Sequence, residues 1–208
     1  MENSCAFCDR KNFEDRVVKE TDNFFVVASL GQITDGGHLL VIPKKHIVCL
    51  GEVFEAAQFK ELVLQMRRAL LAVYERNAVV RRYAVMAFEH GIVGQSVFHA
   101  HLHLLPARLF ITDQVRMDFP DSEIQKMPEG DSMQALYIQR PEPYLYWMTP
   151  NGEEMVCWNP PASPRYFREL FAERLGYPER ADWKKVNQEH DKMLWSSTAA
   201  LVKARLLP

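Results

Sequence analysis

Three histidines alternate with apolar residues in Phe98-His99-Ala100-His101-Leu102-His103-Leu104-Leu105, just ahead of Pro106. Alternation is the period of a β-strand, whose successive side chains point to opposite sides of a sheet. A strand here puts His99, His101 and His103 on one face and turns Ala100, Leu102 and Leu104 into a core. Imidazole is titratable and costly to bury without partners. A lone core histidine is ordinarily structural. Three in register beside Gly94-Gln95-Ser96 mark the face as a working site.

The run from His99 to Leu105 resembles the signature of the histidine triad (HIT) family, in which histidines alternate with hydrophobic residues and close on two of them. Gly94-Gln95-Ser96-Val97 is similar to that family too, as is Gly37-His38-Leu39-Leu40-Val41-Ile42-Pro43-Lys44-Lys45-His46. Together these cover roughly the first half of the chain. The resemblance implies a nucleotide-binding α+β fold, a homodimer, and a reaction at the α-phosphate of a nucleotide through a covalent nucleotidyl-histidine. The family's nucleophile falls on His101. His103 and His38 then line the phosphate side, His38 alternatively supporting another histidine, and Gln95 and Ser96 donate to the bridging oxygen or leaving group. Where the family holds the ribose hydroxyls with Asp or Asn, the nearest position here carries Ser29, with one extra residue before His38.

At 208 residues, 48% hydrophobic and 25% charged, the chain has the balance of a soluble globular protein with a full core. A formal net charge of -2 supplies no general pull on nucleic acid, so phosphate binding has to be local and no nucleic-acid partner is expected. No segment approaches a membrane span, and Met1-Glu2-Asn3-Ser4-Cys5 lacks the basic-then-apolar order of a signal peptide. The expectation is a cytoplasmic protein with no membrane partner.

The four cysteines are Cys5, Cys8, Cys49 and Cys157. In a cytosolic chain this usage argues against a disulfide framework, and Cys49 and Cys157 read as buried thiols. Cys5-Ala6-Phe7-Cys8 is a Cys-x-x-Cys knuckle. A redox pair belongs between a strand and a helix, a context not found before it. Two thiolates are half of a tetrahedral zinc site, and with no second knuckle the other ligands should be histidines. Here the resemblance implies His46 and His99, because some bacterial HIT proteins hold zinc with a knuckle and histidines at these motif positions. The zinc would be structural. The plainer alternative is a tight turn carrying two reduced thiols.

Along the chain, residues 17–20 and 24–28 read as a hairpin split by Asp22-Asn23, followed by a Gly-containing loop and a strand over residues 38–42. Apolar residues recur at helical spacing from 53 to about 78, predicting a long amphipathic helix over one face of the sheet. A strand over 83–88 leads into the turn Glu89-His90-Gly91, where His90 is expected at the surface. Residues 113–131 read as a connector. Asn151-Gly152 between two aromatic-rich runs predicts a hairpin over 144–158. Ser163 and Pro164 predict a helix start, and a last helix runs over 191–206. Arg165 and Arg168, near the helix start at Ser163, could reach an anion, but a solvated face is the expectation. The fold class is therefore α+β: an antiparallel HIT-like sheet with a long amphipathic helix in residues 1–110, and a β-hairpin/helix extension in residues 111–208 that packs on the sheet or closes the pocket.

Displacement at an α-phosphate needs a nucleophile, stabilisation of the phosphoryl oxygens and a proton source for the leaving group. A neutral imidazole attacks without a strong base if its other nitrogen is held as a donor, commonly to a backbone carbonyl. His101, flanked on both sides, best fits that role. The acceptor decides between hydrolase, phosphorylase and transferase; water, always present, makes hydrolysis of nucleoside phosphoramidates or dinucleoside polyphosphates the default. A slow nucleotide-binding sensor is a second reading. Direct metal ligation by His99, His101 and His103 is a third, geometrically awkward on one strand.

Overall fold

A computed structural model describes residues 5–74 and 84–206. The β-branched and aromatic runs Val17–Glu20 (β1) and Phe24–Ala28 (β2) form the expected hairpin, and β2 pairs with Leu39–Pro43 (β3). Val85–Gly91 (β4) and Leu102–Pro106 (β5) follow the long helix Ala56–Tyr74 (α1). Ile124–Lys126 (β6), Tyr144–Met148 (β7) and Glu154–Trp158 (β8) complete an antiparallel eight-stranded sheet in the order β1-β2-β3-β5-β4-β7-β8-β6. The sheet thus runs across the expected 110/111 division, because β7 pairs with β4 from Phe88↔Trp147 to Gly91↔Tyr144.

Four local expectations are corrected, and one helix that the sequence reading missed is added. First, Glu89-His90-Gly91 is not a turn but the end of β4, paired with β7. The triple-histidine segment becomes a regular strand only at Leu102, since the His99 N–H turns back to the Val97 carbonyl and the Ala100 N–H goes to the Ile47 carbonyl. The connector over 113–131 contains the helix Thr112–Asp118 (α2) and β6; Val115 and Phe119 are buried there in too short a run for periodicity to register. The helix Met133–Gln139 (α3), capped by the Ser132 hydroxyl accepting from the Ala135 N–H, escaped the sequence reading for the same reason. The helix expected at Ser163 is Tyr166–Arg174 (α4), preceded by Arg165 in a left-handed conformation at φ 71°. Instead of entering the helix, the Arg165 N–H bonds the Gly94 carbonyl at 2.8 Å. The last helix is Gln188–Leu206 (α5). The end of the first helix expected near Ala78 lies outside the described residues.

Two faces of the sheet bury different things. On one, α1, α3 and α5 cover a core that includes Leu39, Val41, Met66, Leu70, Leu102 and Trp195. The other carries two separate apolar clusters: Phe13, Phe25 and Leu40 over β2 and β3, and Phe88, Trp147, Phe167 and Phe171 under α2 and α4. Residues directly opposite in an antiparallel pair share a face. His103 pairs with Leu40 on one side and Phe88 on the other, so the histidines fill the gap between the two clusters.

The second half of the chain also clamps the loop between β2 and β3. Asp191 of α5 accepts the backbone N–H groups of Gly31 (2.9 Å) and Gln32 (2.7 Å), and the Thr198 hydroxyl accepts that of Gly37. The Gln32 amide bridges the Ser29 and His38 carbonyls and accepts the His38 N–H, closing the loop from inside. Gly31, at φ 65°, has no room for a side chain because a Cβ would stand 2.5 Å from that of Trp183. Removing the Asp191 carboxylate leaves two buried N–H groups without an acceptor, so Asp191→Ala should cost about 2–4 kcal/mol. Denaturant unfolding of the two proteins measures the difference; a loss below about 0.5 kcal/mol, the range of an ordinary surface change, would contradict the clamp.

Candidate active site and metal centre

His101 stands at the centre of the histidine row with its Nδ1 2.6 Å from the His99 carbonyl. A carbonyl only accepts, so Nδ1 carries the proton and Nε2 keeps its lone pair. Burial pulls His101 down to about 4, with the His99 carbonyl opposing and the charges of His99 and Arg168 assisting, which keeps the ring neutral at physiological pH. Its neighbour His103 stacks on Phe88 at 4.2 Å between ring centroids and bonds His38 through Nδ1 to Nε2 at 2.9 Å. Burial holds both His103 and His38 well below the ordinary imidazole range. His38 is fully buried, bonds His103 and is not among the residues lining the adjoining cavity.

A cavity of about 260 Å³ opens over His101 and His103. One wall is apolar, from Phe7, Phe13, Leu30 and Leu40, with Ser29 beside them. Phe7, from the Cys-x-x-Cys knuckle, meets the His101 ring edge-on at 5.1 Å. Ser96 and Val97 of the motif loop, with Arg165, Arg168 and Trp183 of the second half, also line it, Arg168 reaching the Gly31 carbonyl just past Ser29 and Leu30. The Ser29 hydroxyl donates to the Leu30 carbonyl at 3.0 Å. Gln95, expected to donate to the bridging oxygen or leaving group, is not among the residues lining the cavity: its Nε2 donates to the Val48 carbonyl at 2.6 Å, which ties the motif loop to the segment after His46.

Two further expectations are overturned. His90 is not at the surface but buried in the cavity wall, where its Nε2 accepts the Phe167 N–H at the start of α4. Burial takes it down to about 3, so it stays a neutral acceptor. Arg168 is not on a solvated face either. It is buried, and Nε and Nη2 bond the carbonyls of Ala181, Gly31 and Arg180. Its charge bears on His38, His90, His101 and His103 alike. Neither contact is local in sequence, so no motif announced them. The lysine pair beside His46 plays no part in the cavity: Lys44 bonds Glu20 and Lys45 lies over Phe54.

Beside the row, Cys5, Cys8, His46 and His99 place one ligand atom each within 4.8 Å of all the others. The Cys5 sulfur is 3.4 Å from His99 Nδ1, and the Cys8 sulfur is 3.3 Å from His46 Nδ1 and 3.6 Å from His99 Nδ1. Sulfur and nitrogen bound to one tetrahedral zinc at about 2.3 and 2.0 Å stand about 3.5 Å apart, so the spacing fits. His99 Nε2 donates to the Pro43 carbonyl at 2.8 Å, which leaves Nδ1 unprotonated toward the sulfurs, the tautomer a ligand needs. Both the donor set and its orientation suit zinc.

Residues 4–111 match the family model described as scavenger mRNA decapping enzyme C-term binding. Over 106 residues the chain is 33% identical to an uncharacterized HIT-like protein of Mycoplasma genitalium, covering 50% of this chain and 72% of that one. The chain belongs to the histidine triad family. It is also 30% identical over 118 residues to the nitrilase and fragile histidine triad fusion protein NitFhit of Caenorhabditis elegans, spanning 56% of this chain and 24% of NitFhit. A zinc-bound histidine triad protein from Mycobacterium smegmatis aligns at TM-score 0.39 and 29% identity, covering 50% of this chain and 76% of that one. The family-model match ends at residue 111, before α2, so Arg165, Arg168, Trp183 and Asp191 all lie beyond it.

Proposed function

We propose that this histidine triad protein hydrolyses a nucleotide derivative at its α-phosphate, through a nucleotidyl group carried on His101. The observation that carries the reading is the 2.6 Å bond from His101 Nδ1 to the His99 carbonyl, which leaves a neutral Nε2 beside an open cavity. Nε2 attacks phosphorus, the bond to the leaving group breaks with its electron pair going to the leaving atom, and water then displaces the imidazole to release a nucleoside monophosphate. Ser96 donates toward the leaving side, His103 is held by His38 against the phosphate, and Ser29 with the apolar wall takes the nucleoside. Hydrolysis of a dinucleoside triphosphate in ¹⁸O-water tests this. Label in the nucleoside monophosphate is expected, and label in the diphosphate alone would contradict attack at the α-phosphate.

We also propose that Cys5, Cys8, His46 and His99 hold a structural zinc. A bound zinc would supply a crosslink between the knuckle, the end of β3 and the start of the histidine row. That anchors His99, whose carbonyl orients the His101 ring, and Phe7, which packs on it. Metal analysis of the purified protein should find one zinc per chain, with Cys5→Ser lowering occupancy at least tenfold under mild chelation. Zinc retained at full affinity by Cys5→Ser would end the proposal.

A further inference from the structure

Two buried arginines flank Ser29 at the end of the cavity proposed to take the nucleoside. We infer that Arg16 and Arg168 hold a phosphate on the 2′ or 3′ oxygen of the ribose, so that the substrate is a nucleotide phosphorylated on its sugar rather than one with a free ribose diol. The inference rests on the proposed reaction at His101, which takes the 5′ phosphate to the histidines and leaves the ribose between them and the apolar wall. Arg16 Nη1 donates to the carbonyl of Ala28, just before Ser29, at 2.8 Å, and Nη2 donates to that of Asn12. Arg168 Nη2 donates to the carbonyl of Gly31, just after Leu30, at 2.8 Å. Both side chains line the cavity with Ser29, although the residues are only 6% and 5% exposed.

Backbone carbonyls satisfy N–H groups but carry no net charge, and a buried cation ordinarily has an anion for a partner. Here the anions fall short. Among the described residues lining the cavity there is no Asp or Glu. Asp15 approaches Arg16 only to 3.9 Å and from an exposed position, and Arg168 has no carboxylate within 4.0 Å among the described residues. The charge of Asp191 bears on both arginines, but its oxygens already accept the Gly31 and Gln32 N–H groups. Arg165, the third cation of the lining, has its own acids in Asp182 and Glu169. Positive charge is therefore in excess beside Ser29. Arg168 Nη1 makes no bond among the described residues and is not sealed from solvent, so a donor remains for an entering anion.

A free ribose diol asks for the reverse. Its hydroxyls donate and are best held by a carboxylate, whereas an arginine beside the ribose suits a phosphate on the same oxygen, which is how dinucleotide-binding folds tell a 2′-phosphate from a free 2′-hydroxyl. Ser29 stands where the family resemblance places an Asp or Asn, and its hydroxyl hydrogen goes to the Leu30 carbonyl.

Isothermal titration calorimetry on the full chain reads this subsite without turnover. The ligands are a nucleoside 5′-monophosphate and its 2′,5′- and 3′,5′-bisphosphates, with each of the four bases. At least one bisphosphate should bind the wild type about 10–100-fold more tightly than its monophosphate, the effect of a charge-assisted contact. Arg168→Met should shrink that ratio to below about 3-fold. Ser29→Asp leaves both arginines in place but sets a like charge against the phosphate, and should cut the ratio about tenfold or more. Each ratio is taken within one protein, so partial unfolding of a variant lowers both affinities alike and does not move it. Bisphosphates that bind the wild type no more tightly than monophosphates overturn the inference. So does a ratio preserved in Arg168→Met, which would give the guanidinium to the fold or to the 5′ phosphate. A bisphosphate preference in a protein that never carries a nucleotidyl group would instead remove the reaction at His101 and leave the subsite standing.

Discussion

His101→Ala should lower kcat by roughly 10³–10⁵-fold, the usual cost of removing a covalent nucleophile, while KM changes little. The split follows from where the ring sits. His101 is held by the His99 carbonyl and bordered by Phe7 and His103, whereas the rest of the apolar wall proposed to take the nucleoside is built from Phe13, Leu30 and Leu40. Removing the ring takes away the attacking nitrogen and leaves that wall standing. The sheet should survive, because its pairing on either side runs through Leu102, His103 and Leu104. Circular dichroism and zinc content unchanged in the variant, with turnover lost, would separate this result from misfolding. A variant retaining more than a tenth of wild-type kcat would remove His101 from the nucleophile's role.

The second large effect is on stability and lies on the opposite face of the sheet. Glu89 is fully buried; its carboxylate accepts the Leu50 N–H at 2.8 Å and lies 2.7 Å from the Tyr144 hydroxyl, which in turn accepts from Gly51. Burial outweighs both bonds and pushes Glu89 up to about 8. A carboxyl whose folded value lies above its unfolded value binds a proton more tightly when folded, so the fold loses stability as pH rises between the two. From pH 4.5 to about 8 the unfolded chain has released that proton and the folded chain still holds it. The contribution therefore falls by about 1.4 kcal/mol per pH unit and levels off above the folded value. Glu89→Gln keeps a carbonyl for Leu50 and an N–H for Tyr144 and does not titrate. Its unfolding free energy should lack this slope, making it the more stable protein at pH 8. The same slope in both proteins between pH 5 and 8 would contradict the assignment. Glu89 also steadies the turn Leu50–Glu52, just after the segment that carries His46 and the Val48 carbonyl bonded by Gln95.

What was legible in the sequence was whatever repeats with a local period or a local motif. The hairpin of β1 and β2, the long helix α1, the Asn151-Gly152 hairpin and the triple histidine all announce themselves within a few residues. The meeting of Cys5, Cys8, His46 and His99 followed only from the family resemblance, and the structure brings those four side chains together. What stayed hidden depends on contacts across long sequence separations. His90 reads as a turn residue until α4 closes over it, and Arg168 reads as a helix-surface cation until the carbonyls of Gly31, Arg180 and Ala181 surround it. Asp191 looks like an ordinary first-turn carboxylate, yet it is the acceptor for two N–H groups of a loop about 160 residues earlier. The bond from the Gln95 amide to the Val48 carbonyl was hidden for a related reason: a motif gives the residue but not the direction of its amide.

The central claim is that His101 carries the nucleotide, and rapid quench into base after a single turnover with an α-³²P-labelled dinucleoside triphosphate tests it most directly. The account predicts an acid-labile label on the protein, mapped by peptide mass to Nε2-modified His101 and absent from His101→Ala. Turnover that proceeds at the wild-type rate with no labelled protein at any time point, or a label that maps to another residue, would contradict it.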